Sequence, residues 1–451
     1  MRTIGNTTSA RTRPDLLVFL LTCLIWTNVW RVQDMFPILA KVKFPMLVLG
    51  VTVLVFMMDG DPRRRLRSID GPIVRMLGVL LGVMIIGVPA GLYPGRSFTM
   101  VTKDFIPVLA AIIMMAVSVR SRWDVEHYMR WTFYGALLYA VFIEMNFSIS
   151  TGGRLGNLVY YDSNDFALLL VCTLPLALFV ARSGTMIQRI LALVGIALFV
   201  YELMKSGSRG GFIGFAVVML WVLLRFSAIS TTARFSAVAA AVGLLVTVGS
   251  AEYWQQMATL LNPKEDYNWS GNAEEGRMEV WKRGVGYMFS YPIAGVGTRN
   301  FPIAEGTLTE RGRANTLEGD TGFKWSAPHN SFVEIGAETG IVGFSLFVGC
   351  LVVAFRMLAR ARHRKKGEPK PAPWLVLDSQ ALTTALLGFC TAGFFVGAAY
   401  YALPYVLYAQ VLGLEKAAAG ERERAAIEDE MIPPAVLIRS RMRGGLIRSA
   451  G

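Results

Sequence analysis

Long apolar runs recur along this chain, and they limit the folds open to it more than any other feature. Each run covers about 15–22 residues, the length that an α-helix needs to cross the hydrocarbon core of a bilayer. Hydrophobic residues make up 54% of the 451 residues and charged residues 17%, with a mean hydropathy of +0.46. A soluble domain of this length carries more charge. Because lipid offers the backbone no hydrogen-bond partners, the runs predict helices and an all-α polytopic membrane protein.

The apolar runs predict about twelve transmembrane helices. They lie near residues 15–30, 37–58, 72–93, 104–118, 128–147, 165–181, 190–205, 211–225, 236–252, 331–355, 379–399 and 401–414. We expect about nine of these helices in residues 1–252 and about three in residues 331–414. Between them, residues 253–330 are predicted to form one long periplasmic loop containing amphipathic helices. Residues 415–451 are predicted to form a cytoplasmic tail.

The net charge of +13 is typical of nucleic-acid binding as well as of membrane proteins. Here the basic residues fall mostly in short loops between the apolar runs, where they indicate topology and contact with membrane lipids. The loops carry Arg63, Arg64, Arg65 and Arg67; Arg120 and Arg122; Arg182 and Arg189; Arg225 and Arg234; and Arg356 through Lys370. With a cytoplasmic N-terminus, all of them lie on the cytoplasmic side. We therefore expect no nucleic-acid partner.

Two features of the chain exclude other classes of protein. The four cysteines, at positions 23, 172, 350 and 390, all lie inside apolar segments, so we expect no disulfide framework and no metal cluster. Basic residues precede the first apolar run, but no small-residue cleavage site follows it. This pattern predicts a retained first helix rather than a signal peptide.

The long polar connection contains a predicted surface helix. Met278, Trp281, Val285 and Met288 recur at spacings of three, four and three residues, which indicates an amphipathic helix lying along the membrane. Pro292, Gly295 and Gly297 then break the chain. Residues 305–327 are polar and are predicted to form a loop or lid.

The next helix is predicted to begin near Ser331, because Ser331 and Glu334 have the spacing of a capping box. His329 then lies just outside the helix, beside N–H groups and a positive dipole end that favour an anion. Gly336 and Gly340 would give the helix a small face for close packing. Glu338 is a carboxylate at membrane depth, where such residues are functional candidates.

Three residues are candidates for chemistry at the ends of different spans. His329 is suited to acid–base work, although a histidine at this depth is often only an interfacial polar residue. Arg209 lies in the turn from Ser206 to Gly211, which is either a phosphate-binding turn or an ordinary glycine-rich connection. Arg277 begins the predicted surface helix and is suited either to a phosphate or to a lipid headgroup.

A fourth polar group precedes the span near 165–181. It contains Arg154, Asp162 and Asp165. Ser163 or Asn164 is expected to cap the helix. Two carboxylates on one turn are a weak metal signal, so capping is the preferred interpretation.

Several motifs, in order between residues 154 and 345, resemble the bacterial O-antigen ligase and polymerase superfamily. They are Asn164-Asp165-Phe166-Ala167, Ser208-Arg209-Gly210-Gly211, Arg277 with Trp281, Tyr291 through Gly297 with Asn300-Phe301, and Pro328-His329-Asn330 followed after nine residues by Gly340 and Gly343. The long polar connection also lies where the family has it. The remainder of the chain matches the family only in hydropathy.

The resemblance implies an inverting glycosyltransferase that takes a glycan from undecaprenyl diphosphate at the periplasmic face of the bacterial inner membrane. It needs no metal, nucleotide or other cofactor. The acceptor hydroxyl belongs to lipid A core, a growing glycan or a protein. In this scheme Arg209 and Arg277 bind the diphosphate and His329 is the base. Arg154, Asp165, Asn330 and Glu338 are candidate supporting residues, and Glu334 is either a partner-orienting group or only a cap.

Two other classes remain open from the sequence. A transporter of lipid-linked sugars would use the intramembrane carboxylates Asp165 and Glu338, although the chain shows no inverted repeat. A metal-dependent glycosyltransferase would need carboxylates in an external loop, where the early loops offer only Asp34.

Overall fold

The all-α prediction is confirmed for the part of the chain that the structure describes. The computed structural model describes residues 15–149, 155–156, 158, 160–262, 276–310, 327–363 and 370–431. Within these ranges the secondary structure is helical, apart from an isolated β-bridge between Ile149 and Leu155.

The helices are numbered in chain order. The first nine are α1 (Leu16–Asn28), α2 (Val32–Met35), α3 (Pro37–Lys41), α4 (Phe44–Met58), α5 (Pro72–Ala90), α6 (Pro94–Thr99), α7 (Ile106–Ser118), α8 (Arg122–Asn146) and α9 (Ser163–Ser183). The others are α10 (Met186–Ser206), α11 (Arg209–Arg225), α12 (Thr231–Val248), α13 (Ala251–Ala258), α14 (Arg277–Ser290), α15 (Phe301–Leu308), α16 (Ser331–Arg362), α17 (Pro373–Ala392) and α18 (Ala402–Met431). A π-helical stretch, Met100–Phe105, joins α6 to α7, and short 3-10 turns occur at Leu66–Ile69 and Gly393–Phe395.

Each predicted apolar span overlaps a helix, and seven helices of the described chain are long and apolar enough to cross a membrane. They are Pro72–Ala90, Pro94–Ser118, Ser163–Ser183, Met186–Ser206, Thr231–Val248, Ser331–Arg362 and Pro373–Phe395. Two shorter apolar helices are α1 and α4. The span predicted to end at 414 belongs to α18, which continues to Met431. The first part of the predicted tail is therefore helical.

Helix α9 lies at the centre of the bundle and is the most deeply buried of the seven. It packs against α8, α10, α11 and α17. Its run of leucine, valine and phenylalanine buries all faces, as expected of a helix inside a large apolar core. Helix α12 is equally apolar but almost entirely exposed, which is expected of a helix that faces lipid.

The basic loop that carries Arg64 is held by contacts to three other parts of the bundle. The buried guanidinium of Arg64 donates to Asp15 and Asp59, each at 2.6 Å, and to the carbonyl of Ser118 at 3.1 Å. Lys416 of α18 donates to the carbonyl of Val117 at 2.6 Å. These contacts join α18 and the start of α1 to the ends of α4 and α7. The sidedness of the other basic loops stays a prediction.

Helix α16 is two helical segments joined at Gly340, which has φ +69 and ψ −172. The break frees the carbonyl of Ala337 and the N–H of Val342 from their helical partners. Val296 donates to the carbonyl of Ala337 at 2.9 Å, and Val342 donates to the carbonyl of Pro292 at 3.4 Å. Backbone groups that the break leaves open are thus satisfied by residues 292–296. Gly340 therefore marks a kink rather than part of a smooth small-residue face.

We expect Gly340→Ala to lower the free energy of unfolding by about 2 kcal/mol or more, because an L residue is strained at this φ. In addition, the new Cβ would lie 2.3 Å from the carbonyl oxygen of Pro292. The measurement is thermal unfolding of the purified protein in detergent. Gly78→Ala on α5, where an added Cβ meets nothing within 4 Å, is the matched control. An equal melting temperature for both variants would contradict the strained kink.

Candidate functional site

The start of α16 is held by Asn330 rather than by the predicted capping box. The Asn330 side chain accepts hydrogen bonds from the N–H groups of Phe332 at 2.9 Å and Val333 at 3.1 Å. The Ser331 hydroxyl instead donates to the carbonyl of Val396 at 2.7 Å. The predicted Ser331–Glu334 capping box is therefore wrong, because both side chains are used by a segment that is distant in sequence. Asn330 is a structural cap.

Glu334 is buried against the connection between α17 and α18. Its carboxylate accepts the N–H of Ala399 at 3.1 Å, and a Cβ added at Gly397 would lie 3.4 Å from either carboxylate oxygen. The Ser331 hydroxyl accepts the N–H of Ala398 at 3.0 Å. The first turn of α16 thus holds residues 396–399 in place.

His329 directly precedes the cap Asn330 and is half-buried. Its backbone is left-handed, with φ +43. A non-glycine residue in this region is strained, and such strain clusters at functional sites. The preceding carbonyl, that of Pro328, accepts the indole N–H of Trp281 at 2.7 Å. Helix α14 therefore fixes the chain just before the histidine.

Trp281 and Phe395 bring the starts of three helices together. The Trp281 ring packs edge-on against Phe394 at 5.2 Å and lies 6.4 Å from Phe395. Helix α11 approaches so closely that a Cβ added at Gly210 would lie 2.5 Å from the Cβ of Phe395. The contacts from Gly210 through Phe395 and Trp281 to Pro328 join the starts of α11, α14 and α16.

Arg209 and Arg277 are the first residues of α11 and α14, and both are half-buried. The turn before Arg209 has the predicted tight form. Gly207 is left-handed at φ +59, and the Ser208 hydroxyl caps α11 by accepting the N–H of Gly211. The Arg209 guanidinium donates to the hydroxyl of Thr259 at 2.9 Å. The helix starts that carry Arg209, Arg277 and His329 therefore meet at one end of the bundle.

The predicted surface helix exists as α14, but its packing stripe differs from the prediction. The buried residues are Val280, Gly284 and Tyr287, and the helix packs along the first half of α16. Val285 is 40% exposed. The predicted stripe is thus wrong as the main buried face, because Val280, Gly284 and Tyr287 are buried instead. Met288 of the predicted stripe still lies against Gly336 of α16, where an added Cβ would be 2.7 Å from its sulfur.

Arg283 and Glu305 form an ion pair that the sequence did not reveal. The guanidinium lies 2.5 Å from the buried Glu305 carboxylate, which also accepts the Tyr287 hydroxyl at 2.9 Å. Hydrogen bonding to Glu305 raises the pKa of Arg283. The pair joins α14 to α15, so α15 extends to Leu308 where a loop from 305 was predicted. The rest of the predicted lid, residues 311–326, lies outside the described residues.

Glu338 holds a second polar centre. Its carboxylate is buried and accepts the backbone N–H of Arg299 at 2.7 Å and of Phe301 at 3.0 Å. The Arg299 side chain is exposed, and Glu334 and Glu338 attract its guanidinium electrostatically. No local pattern pointed to Arg299. The only signal in the sequence is its position in the glycine-containing segment that follows α14.

Asp165 caps α9 together with Asp162. Asp162 accepts the N–H of Asp165 at 2.8 Å, and Asp165 accepts the N–H of Asp162 at 3.1 Å. This capping box replaces the predicted cap at Ser163 or Asn164. Asp165 also accepts the Tyr401 hydroxyl at 3.0 Å. Arg154 lies outside the described residues. Within the described ranges, no three His, Cys, Asp or Glu side chains group in a metal-binding arrangement.

Seven helices suited to crossing a membrane indicate a multi-pass membrane protein, and the helix starts gathered at one end form its candidate site. The family model described as O-Antigen ligase (Wzy_C) matches residues 192–348, from α10 into α16. Residues 192–348 are thus similar to the O-antigen ligase family, which confirms the resemblance carried by the motifs in this region. The family is associated with ligases and polymerases of the glycosyltransferase type. No curated protein matches the chain.

We expect Glu338→Gln to lower the free energy of unfolding by about 1–3 kcal/mol, because a carboxamide has one acceptor oxygen for two buried N–H donors. Its NH2 group would face the N–H of Arg299 or Phe301. Thermal unfolding in detergent measures the loss, and Glu415→Gln at an exposed position of α18 is the control. A melting temperature equal to that of the control would show that Glu338 does not hold these residues.

Proposed function

We propose that this protein is an inverting, metal-independent membrane glycosyltransferase. It moves a glycan from undecaprenyl diphosphate to an acceptor hydroxyl at the periplasmic face, in the manner of an O-antigen ligase. The observation that supports this most is the meeting of three helix starts around Trp281 and Phe395. Two of them carry Arg209 and Arg277, and His329 directly precedes the cap of the third. The family match covers all three residues.

The donor diphosphate is proposed to bind where α11 and α14 begin. Each helix start offers backbone N–H groups and a positive dipole end, which favour an anion. Arg209 and Arg277 add guanidinium groups that stay charged at any physiological pH and match phosphate oxygens in geometry. Charge grows on the diphosphate as it leaves, so these groups stabilise the transition state more than the bound substrate.

His329 is proposed to act as the general base. An imidazole with an ordinary pKa of about 6.5 is mostly neutral at pH 7 and can accept a proton. As the acceptor oxygen bonds to the anomeric carbon, His329 takes the hydroxyl proton. The bond from that carbon to the diphosphate breaks, and its electron pair leaves with the diphosphate. Attack opposite the leaving group inverts the anomeric centre.

The other predicted residues are given supporting roles. Asn330 fixes the turn that follows His329, and Asp165 holds the start of α9 against Tyr401. Glu334 and Glu338 are positioning residues that hold neighbouring backbone. Arg154 is proposed as a further cation for the donor.

The acceptor distinguishes three related activities. Transfer to lipid A core defines a ligase, transfer to a second glycan a polymerase, and transfer to a protein hydroxyl an O-oligosaccharyltransferase. All three use the same donor site and base. An assay that offers the three acceptors separately therefore identifies the activity without changing the proposed chemistry.

His329→Ala should reduce transfer about 100-fold or more, because general-base assistance is lost while the diphosphate site stays intact. The assay uses purified protein, an undecaprenyl-diphosphate-linked glycan and each acceptor, with EDTA present throughout. His363→Ala, at the exposed end of α16, is the matched control and should keep full activity. Equal transfer by both variants would remove His329 from the mechanism, and loss of all wild-type activity in EDTA would contradict metal independence.

Arg209→Lys and Arg277→Lys should each weaken donor binding about tenfold, because lysine keeps the charge but loses the planar fork. The KM for the donor measures this effect with the acceptor saturating. Arg75→Lys, an exposed residue paired with Asp70, is the control. An unchanged donor KM in both variants would place the diphosphate elsewhere.

A further inference from the structure

A polar cavity lies beside Arg299, outside the helix starts described above. Its volume is about 530 Å³, and its lining consists of Tyr93, Gly95, Arg96, Thr99, Met100, Asp104 and Arg299. Two guanidinium groups and one carboxylate face the same space. A cavity of this size is in the range that takes small ligands.

Hydrogen bonds join the two walls of the cavity, which are formed by residues 92–97 and residues 296–300. Leu92 donates its N–H to the carbonyl of Val296 at 3.0 Å. The Ser97 hydroxyl donates to the carbonyl of Thr298 at 3.0 Å and accepts from the Asn300 amide at 3.2 Å. The start of α6, with Arg96, is thereby fixed against the segment that carries Arg299.

Glycines allow this close approach of the walls. Gly297 has φ +94, and a Cβ added to it would lie 2.8 Å from the Cα of Gly91. Glu338 completes the arrangement, because its carboxylate fixes the backbone N–H of Arg299. The cavity is therefore built by contacts among distant parts of the chain, and its shape does not depend on one mobile loop.

The charged side chains of this cavity are open to a ligand, because they have no bonded partner within the described ranges. Across the described ranges, Arg96, Asp104 and Arg299 make no hydrogen bond or ion pair through their side chains, although Asp104 and Arg299 attract each other electrostatically. Several other arginines form ion pairs, such as Arg64 with Asp59 and Arg283 with Glu305.

Two irregularities of the backbone occur at the same cavity. The wall from Met100 to Asp104 belongs to the π-helical stretch, and short π segments inside α-helices are frequent at functional sites. Arg299 itself is left-handed at φ +62, a conformation that is uncommon and costly for any residue with a Cβ. The two irregularities thus occur at Asp104 and Arg299, which both line the cavity.

The chemistry of the lining selects an anionic saccharide. Guanidinium groups bind phosphate or carboxylate in a forked geometry. Asp104 can accept hydrogen bonds from sugar hydroxyls, and Tyr93, 58% exposed, offers an apolar ring face. We propose that this cavity is the acceptor subsite and binds an acceptor saccharide through a phosphate or carboxylate group. This inference rests on the proposed glycosyltransferase function.

The position of the cavity agrees with that role. Glu338, beside Arg299, is separated from Ser331, next to the His329 end of α16, by about 10 Å along the helix. In this proposal, an acceptor anchored at Arg96 and Arg299 presents a hydroxyl to His329 from a further sugar. Specificity for an anionic acceptor would then be set at a distance from the reacting atoms.

The test measures binding of four probes to the full-length protein in detergent by saturation-transfer NMR. The probes are cellobiose, cellobiouronic acid, cellobiose 6′-phosphate and inorganic phosphate. We expect the charged disaccharides to bind at least tenfold more tightly than cellobiose, and Arg96→Gln and Arg299→Gln to remove this preference. Arg75→Gln, at the far end of α5, is the control. The two charged disaccharides distinguish a carboxylate-selective from a phosphate-selective site.

Three results would overturn the acceptor subsite. They are equal binding of neutral and charged disaccharides, unchanged preference in both variants, and inorganic phosphate binding as tightly as the phosphorylated disaccharide. The transfer assay with His329→Ala tests the proposed function separately. Saccharide binding without any transfer would contradict the glycosyltransferase and leave a saccharide site, whereas transfer with no anionic preference would contradict only the subsite.

Discussion

The hydrogen bonds from the backbone of Arg299 and Phe301 to the Glu338 carboxylate hold the functional half of the molecule together. They fix residues 299–301 beside α16, and the bonds of Val296 and Val342 fix residues 292–296 there. The kink at Gly340 makes room for this segment and leaves two backbone groups that the segment satisfies. A buried carboxylate needs such donors, and a broken helix needs such partners. The buried Glu338 carboxylate and the kink at Gly340 therefore both obtain their hydrogen-bond partners from the segment 292–301.

Much of the bundle could be predicted because its signals are local. An apolar run specifies a helix through its own composition, and the start of α16 was placed within a residue of its position. The turn before Arg209 followed from its glycine and serine. The cap of α16 was misassigned because Ser331 and Glu334 bind a segment about 65 residues away, and no local spacing reports such contacts. For the same reason Arg299 was missed.

The candidate site shows a similar division between local and distant information. The residue types at Arg209, Arg277 and His329 suggested their chemistry, yet nothing in their spacing showed that three helix starts meet. That meeting depends on aromatic packing between Trp281 and the Phe394–Phe395 turn, which lies more than 100 residues further along the chain. Large rigid rings are suited to this, since they bury much surface and fix geometry. The indole N–H also finds a partner in the carbonyl of Pro328.

The two polar centres share the first half of α16 as a common wall. His329 precedes it, Glu334 holds the α17–α18 connection from its middle, and Glu338 holds Arg299 at its end. Because hydrogen bonds to buried side chains fix both ends of this short segment, it is suited to keep a constant distance between His329 and Arg299. In the proposed transferase such a constant distance is useful, since the gain from orienting reactants is lost when their separation varies. The kink at Gly340 then separates this rigid segment from the membrane-crossing remainder of α16.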